Sequence, residues 1–227
     1  MKVTYYGQNS LSIEIGGKHI IVDPFITEND LSKDKVDIMD LKADYIFLTH
    51  AHFDHTLDAE AIAKNTGATI VANFEVYQHY ANKDLEAMPL NPGGIRSFDF
   101  GKVKGVNAIH TSSFSDGSYG GNPMGFIFMD DAGQSIYIAG DTALTLDMQL
   151  IPKWAKLNLA VLPIGDVVTM GADDAVIASD FVKCNKVLGV HYDVFPFTKI
   201  DHDEARSKFI KAGKELILLD VGASISV

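Results

Sequence analysis

Four side chains that commonly bind metal ions occur within six consecutive residues of the sequence. The run L-T-H-A-H-F-D-H places His50, His52, Asp54 and His55 directly behind the apolar stretch 45–48. Residues two positions apart in extended backbone point the same way, and a turn after His52 can bring Asp54 and His55 back toward the first pair. A lone histidine usually belongs to a solvated loop, but this density of ligand-type residues indicates a metal site.

Three further candidates follow at the ends of other apolar stretches. His110, Asp141 and His191 each come after a predicted strand, on the edge where α/β sheets tend to build their sites. Taken singly, the histidines read as core residues and Asp141 as a turn or helix cap. The order H-x-H-x-D-H, then H, then D, then H instead suggests a centre with two ions, which needs about seven ligands.

The elements that would position these residues alternate along the chain. Two hairpins, at 10–22 and 125–139, each lead into an aspartate, Asp23 and Asp141, and so predict two similar halves, with chance similarity as the open alternative. Helices are predicted at 57–65, 74–81, 146–156, 173–184 and 202–212. Strands are predicted at 45–48, 68–72, 103–109, 159–163, 186–190 and 215–219. This alternation predicts an α/β protein, taken as one domain over residues 1–227.

Composition excludes several classes of protein and partner. Apolar residues make up 47% and charged residues 22% of the chain, which is typical of a globular protein. The net charge of -11 disfavours broad binding to nucleic acids or anionic membranes. A small-molecule substrate is the expected partner, a small anionic substrate held locally by metal ions stays an open alternative, and so does a homo-oligomer. No apolar run could span a bilayer, the start lacks signal-peptide character, and the single Cys184 cannot form an internal disulfide; together these predict a cytoplasmic location.

The ligand pattern resembles that of the metallo-β-lactamase superfamily over essentially the whole chain. The stretches GNPMGFIF, YIAGDTAL, LPIGDVVTMGADDA and GVHYDVFP are further similar to a compact group of metal-dependent hydrolases related to ascorbate-6-phosphate lactonases. The resemblance implies a four-layer αββα sandwich with the metals at one edge between the two sheets.

The resemblance also implies how the ligands divide between two divalent ions. His50, His52 and His110 would hold the first ion, and Asp54, His55 and His191 the second, with Asp141 bridging them. Imidazole and carboxylate ligands leave zinc and manganese as the leading metals, with iron or nickel as alternatives. A thiolate zinc site is excluded at these positions because none of the candidates is a cysteine.

Other residues receive roles from the same chemistry. Paired ions can lower the pKa of a water to about 7 for hydrolysis, and Asp54 would orient that water or accept its proton. Asp23 resembles the superfamily's aspartate that hydrogen-bonds a ligand histidine, although a cap before the Pro24 turn is an equal alternative. Three further residues could contact the substrate or protonate the leaving group, although a structural role is an equal alternative for each: Tyr119, Asn122 and Tyr192.

The predicted function is metal-dependent hydrolysis of a small ester-like substrate, with phosphodiesters and lactones as the leading classes. One alternative is an iron-dependent oxidoreductase of the same fold, similar to persulfide dioxygenases. Flavodiiron proteins that share the pattern carry glutamate where His52 stands. A non-catalytic metal-binding protein is the second alternative.

Overall fold

Two mixed sheets of seven strands each form the framework of the chain in a computed structural model, which describes residues 1–227. The strands of the first sheet are β1 (Lys2–Tyr5), β2 (Leu11–Ile15), β3 (Lys18–Val22), β4 (Tyr45–Phe47), β5 (Thr69–Ala72), β6 (Ala87–Pro89) and β14 (Ser224–Ser226). The strands of the second sheet are β7 (Ile95–Phe98), β8 (Gly101–Asn107), β9 (Met124–Asp130), β10 (Ser135–Ile138), β11 (Leu159–Pro163), β12 (Lys186–Val190) and β13 (Glu215–Ile217).

The two sheets repeat one topology. In the first sheet, β1 to β3 are antiparallel neighbours and β3 to β6 are parallel neighbours. In the second sheet, β8 to β10 are antiparallel and β10 to β13 are parallel. Outside this repeat, β14 pairs with β1 and β7 pairs with β8, both antiparallel. The prediction of two similar halves, each containing a hairpin that leads to an aspartate, is therefore confirmed.

A hydrophobic core fills the space between the sheets. Phe47 of β4 packs edge to face against Phe126 and Phe128 of β9, with ring centroids 5.2 and 4.9 Å apart. All three rings are fully buried, and aromatic pairs in this geometry contribute beyond their area of burial. The core draws on both sheets, while the single-domain assignment stays a prediction.

Helices cover the outer faces of both sheets. The helices are α1 (Phe53–Thr56), α2 (Ala59–Thr66), α3 (Phe74–Ala81), α4 (Ala172–Phe181) and α5 (His202–Lys211). Apolar side chains of α2 and α3 pack on the first sheet, and those of α4 and α5 pack on the second. The resulting layers are helix, sheet, sheet and helix, so the predicted αββα sandwich is confirmed. None of these helices is long and apolar enough to cross a membrane.

Some predicted boundaries are wrong, for identifiable reasons. The helix predicted at 146–156 is a 3-10 helix, Leu146–Lys153, because in an α-helix the ring of Pro152 would clash with the Met148 carbonyl oxygen. The strand predicted to end at Ile109 ends at Asn107, because the Ile109 N–H donates to the Thr142 hydroxyl rather than to a neighbouring strand. His110 and Asp141 consequently lie on loops just beyond β8 and β10.

Candidate metal centre

The seven predicted ligands lie together beyond the carboxyl ends of four strands. One of these strands belongs to the first sheet and three belong to the second. The first cluster follows β4, and the remaining three residues, His110, Asp141 and His191, follow β8, β10 and β12. The short helix α1 begins immediately after His52 and turns Asp54 and His55 back toward His50. The turn expected from the spacing of the first cluster is this helix.

The ligand atoms fall into three overlapping groups, in each of which all atoms lie within 4.8 Å of one another. The groups are His50 with His52 and His110, His50 with His55 and Asp141, and Asp54 with His55 and His191. The first and third groups coincide with the two ligand sets that the resemblance implies. The second group contains Asp141 and one member of each of the others.

Asp141 faces histidines from both ligand sets. Its Oδ2 lies 2.9 Å from Nε2 of His191 and 3.5 Å from Nε2 of His110. Its Oδ1 lies 3.4 Å from Nε2 of His55. One carboxylate therefore sits between the two sets, as a bridging ligand must.

Several nitrogen and oxygen atoms of this cluster that could bind a metal ion are buried without a hydrogen-bond partner. These atoms are Nε2 of His55, Oδ1 of Asp141 and both ring nitrogens of His191; the 2.9 Å approach of His191 Nε2 to Asp141 lacks the angle of a hydrogen bond. An unpaired buried polar atom costs about 1–3 kcal/mol, so the cluster is unfavourable as a purely structural arrangement. Divalent cations bound among these atoms would pair the inward-facing ones, and imidazole with carboxylate suits zinc, manganese or iron. The residues present therefore fit metal ions.

The shifted pKa values of the clustered histidines and carboxylates also fit bound metal ions. Burial opposes protonation of His55 and His191, but the carboxylates around them, Asp141 foremost and then Asp54, together outweigh it. The pKa of His55 is raised well above its ordinary value and that of His191 to about 9. Burial likewise opposes ionisation of Asp141, yet the same two histidines hold its pKa well below the usual range. Protons on the histidines balance the carboxylates here, and metal ions would take over that role by displacing them.

Asp23 organises the histidines from behind. Its Oδ2 accepts hydrogen bonds from Nδ1 of His55 at 2.8 Å, the Thr49 hydroxyl at 2.6 Å and Nδ2 of Asn9 at 2.7 Å. Its Oδ1 accepts from the Thr49 backbone N–H at 2.8 Å. Because Nδ1 of His55 is the donor, Nε2 is left to face the cluster. This is the contact that the resemblance implied for Asp23.

Thr49 connects Asp23 to His50, a member of the other ligand set, and so fixes the tautomer of that histidine as well. Its hydroxyl donates to Asp23 and can therefore accept the Nδ1–H of His50, which lies 3.0 Å away. The Nε2 of His50 then carries no proton and faces Nδ1 of His52 at 2.9 Å, a contact that a bound cation would replace. Burial holds the pKa of His50 well below its ordinary value, so the ring is neutral. A single carboxylate thus fixes the tautomers of one histidine from each set.

The segment after β1 supplies supports that the sequence did not reveal. The Gln8 side chain donates from Nε2 to Oδ2 of Asp54 at 2.8 Å, and the Gln8 backbone carbonyl oxygen accepts the His191 backbone N–H at 2.9 Å. Gln8 and Asn9 are buried, although amides near a chain start usually lie on the surface. The signal that could have found them is the polar run Gln8–Ser10 set between two apolar strands.

Three residues of the site have left-handed backbone despite carrying side chains. The φ angles of Gln8, Asp23 and His191 are 52°, 45° and 58°. Such conformations cost about 1–3 kcal/mol each and persist where the surrounding structure enforces them. Their concentration around one cluster marks it as a functional site rather than a packing arrangement.

The predicted substrate-contacting residues occupy two different settings. Tyr119 is exposed and its hydroxyl donates to Oδ1 of Asn122 at 3.0 Å. A Cβ added to Gly120 would lie 2.2 Å from the Cβ of Ala51, so this loop covers the backbone between His50 and His52. Tyr119 and Asn122 therefore flank the ligands, and their contact with substrate stays a prediction.

Tyr192 follows His191 in sequence but is buried by its neighbours. Its ring stacks on Tyr5 at a centroid distance of 6.4 Å and meets His202 edge to face at 5.4 Å. Burial raises the pKa of its phenol to about 12. These contacts give the Tyr192 side chain a structural role in packing, and its contact with substrate stays a prediction.

Known proteins resemble this chain over most or all of its length. A family model described as the beta-lactamase superfamily domain matches residues 2–191. A UPF0173 metal-dependent hydrolase of Christiangramia forsetii is 65% identical over 227 residues and one of Flavobacterium johnsoniae is 59% identical, each covering 100% of both chains. The solved structure of Igni18, a metallo hydrolase from Ignicoccus hospitalis, is 32% identical with a TM-score of 0.89, covering 99% of this chain and 97% of that one.

Proposed function

Because the chain belongs to the beta-lactamase superfamily, as a metal-dependent hydrolase of the UPF0173 family, we propose that it uses two divalent ions to hydrolyse a small ester-like substrate. The observation that carries this proposal is the middle donor group, His50 with His55 and Asp141, which joins the other two groups. A single ion would leave either His52 and His110 or Asp54 and His191 without a partner. Zinc or manganese is the metal we expect.

The reaction is hydrolysis by an activated water. Two ions held by the ligand sets would lower the pKa of a water toward about 7 and would stabilise negative charge on the substrate oxygen. The water oxygen forms a bond to the substrate's central carbon or phosphorus, the bond to the leaving oxygen breaks, and one water proton passes to that oxygen. The products are an acid and an alcohol, with no redox change.

Asp54 is the residue we assign to the proton transfer. Its side chain is 12% exposed, against 3% for Asp141, so it is the ligand carboxylate that can meet a water entering from solvent. Its Oδ2 is held by the Gln8 amide at 2.8 Å, which fixes its direction. Asp54 would accept the proton from the attacking water and return it to the leaving oxygen.

Asp23, Thr49 and Gln8 have no direct part in the chemistry but preorganise it. Asp23 and Thr49 hold His55 and His50 with Nε2 facing the cluster, and Gln8 connects Asp54 to the backbone of His191. Ligands fixed in this way need little rearrangement when the ions and substrate bind.

The first test is metal content. We expect about two ions per wild-type chain by inductively coupled plasma mass spectrometry, and one or none in Asp141→Ala, because Asp141 faces both ligand sets. Asp58→Asn is the matched control, since Asp58 is buried and accepts hydrogen bonds from Ile26, Thr27 and no ligand. Two ions retained in Asp141→Ala would mean that the bridging assignment is wrong.

The second test is turnover. The metal-loaded protein is assayed on phosphodiesters, carboxylic esters, lactones, thioesters and β-lactams, and oxygen consumption is measured on a persulfide. Hydrolysis of an ester-like class that disappears in Asp54→Asn, also at metal concentrations that restore both ions, is the expected result. Iron content with oxygen consumption and no hydrolysis would favour the oxidoreductase alternative.

A further inference from the structure

Large apolar side chains are exposed directly beside the metal ligands. Phe53 lies between His52 and Asp54, and Ile109, which is 52% exposed, precedes His110. Single exposed apolar residues are ordinary on a protein surface, but contiguous apolar surface marks a place where another molecule binds. The position of Phe53 and Ile109 next to ligands from different loops places apolar surface on two sides of the centre.

Aromatic rings continue this surface away from Phe53. Its ring lies 6.3 Å from that of Phe195, which stacks on Phe197 at 5.6 Å with an interplanar angle of 6°. Phe197 is exposed, and it shares the lining of a cavity of about 370 Å³ with Val167.

Val167 and Ile109 are linked through the loop that carries Asp141. Thr142 accepts the Met170 N–H at its carbonyl oxygen and the Ile109 N–H at its hydroxyl, both at 3.0 Å. Val167 is 70% exposed and has a φ of 59°, an outlier for a β-branched residue. The fold therefore holds an exposed valine in a strained position two residues after Gly165, whose added Cβ would lie 2.0 Å from the His191 carbonyl oxygen.

These residues form what we call the apolar rim, comprising Phe53, Ile109, Tyr119, Val167 and Phe197. Each is exposed and lies in a loop or short helix that either carries a ligand or is bonded to one that does. Tyr119 joins through Gly120, which packs on Ala51 between His50 and His52.

Fixed positive charge is scarce around this rim. The chain has two arginines: Arg96 lies on β7, donating to the Pro89 carbonyl oxygen, and Arg206 lies on α5 near Asp203. The cavity beside Val167 and Phe197 contains two lysines, Lys199 and Lys208, and five carboxylates, those of Asp166, Asp173, Asp174, Asp201 and Glu204. Lys208 is already paired with Asp173 and Glu204. Phosphate groups are usually recognised by arginine or lysine as well as by metal ions, so here the ions alone would hold a phosphate, whereas an uncharged ester needs no further cation.

We propose that the substrate is an uncharged carboxylic ester or lactone whose apolar chain lies on the apolar rim, and not a phosphodiester. This inference rests on the proposed hydrolase function and chooses between its two leading substrate classes. Hydrolysis breaks the acyl carbon–oxygen bond, with the water oxygen added to the acyl carbon and its proton transferred to the leaving oxygen. Each additional methylene that reaches the rim should raise kcat/KM about 3-fold.

The test compares substrates that share one leaving group. The metal-loaded enzyme is assayed on p-nitrophenyl acetate, butyrate and hexanoate and on bis(p-nitrophenyl) phosphate. We expect kcat/KM to rise with acyl length and to be lowest for the phosphodiester. Ile109→Ser should flatten the rise mainly through KM, whereas Ile210→Ser, at an isoleucine 71% exposed on α5, should leave it unchanged.

A binding measurement without turnover accompanies the kinetics. The uncharged fluorescent probe N-phenyl-1-naphthylamine should bind wild type and Ile210→Ser alike and bind Ile109→Ser several-fold more weakly. Circular dichroism and light scattering check that both variants keep the fold and oligomeric state. A change in oligomeric state of Ile109→Ser, with its dependence on acyl length intact, would assign the rim to an interface and overturn the proposal.

Other outcomes separate the two proposals. Faster turnover of the phosphodiester than of all three esters would overturn the substrate inference and leave the hydrolase function standing. No turnover of any substrate by protein with two bound ions would remove the proposed function. In that case, equal probe binding by the two serine variants would also overturn the rim assignment.

Discussion

Asp23→Asn should weaken metal binding although Asp23 is not among the predicted ligands. The carboxylate accepts three hydrogen bonds at Oδ2, from His55, Thr49 and Asn9, and one at Oδ1 from the Thr49 N–H. Asparagine keeps one oxygen and replaces the other with an N–H₂ group. Its better orientation keeps the oxygen toward the three donors and turns the N–H₂ toward the Thr49 N–H, where two donors then face each other.

The magnitude follows from these contacts. The unpaired Thr49 N–H costs about 1–3 kcal/mol, and three hydrogen bonds to a charge become neutral at a loss of about 1 kcal/mol each. Relief from burying the Asp23 charge offsets part of this, so we expect the metal-free unfolding free energy to fall by about 2–4 kcal/mol. Loss of such supporting contacts typically lowers metal affinity about 10–100-fold, which corresponds to about 1.4–2.7 kcal/mol.

The assay combines urea unfolding of the metal-free protein with calorimetric titration of zinc or manganese. Asp58→Asn is again the matched control: this buried carboxylate accepts from Ile26 and Thr27, so its loss should lower stability while metal affinity stays within about 3-fold of wild type. Wild-type affinity for both ions in Asp23→Asn would refute the assignment of Asp23 as the residue that orients His50 and His55.

Two further predictions concern pH and packing. In the metal-free protein, the folded-state pKa of His191, about 9, exceeds the ordinary value of about 6.5, so its contribution to stability is complete below pH of about 6.5 and disappears as pH rises to about 9. Urea unfolding across that range should show the decline in wild type and a smaller one in His191→Gln; identical profiles would contradict the raised pKa. Gly120→Ala should destabilise by about 1–3 kcal/mol, because its Cβ would lie 2.2 Å from the Cβ of Ala51 and 2.6 Å from Oγ of Ser112. Gly171→Ala, with an ordinary φ of -89° and a Cβ no closer than 3.2 Å to Asp166, should lose less, and an equal loss in both would contradict the steric account.

The ligands could be predicted because their chemistry is local in sequence or occurs at strand ends. His50, His52, Asp54 and His55 follow one apolar stretch, and His191 follows β12 directly. The hairpins could be predicted too, since alternating apolar residues around a glycine turn have few other solutions.

The supporting residues could not be predicted, because their partners are distant in sequence. Gln8 reaches Asp54 across 46 positions, and Asn9 reaches Asp23 across 14. Nothing in the local pattern distinguishes a buried amide from an exposed one. The strands β6, β7 and β14 were missed because they are short and partly or largely exposed, so they lack a strong apolar pattern.

The repeated topology has a consequence for how the chain holds together. His50, His52, Asp54 and His55 extend from the first sheet, whereas His110, Asp141 and His191 extend from the second. Ions bound by ligands from both sheets would cross-link the two halves of the chain, and separating the sheets would require breaking coordination bonds. Metal supply would then set the mechanical and proteolytic resistance of the whole molecule, and a protease would distinguish the loaded from the stripped protein before any substrate is known.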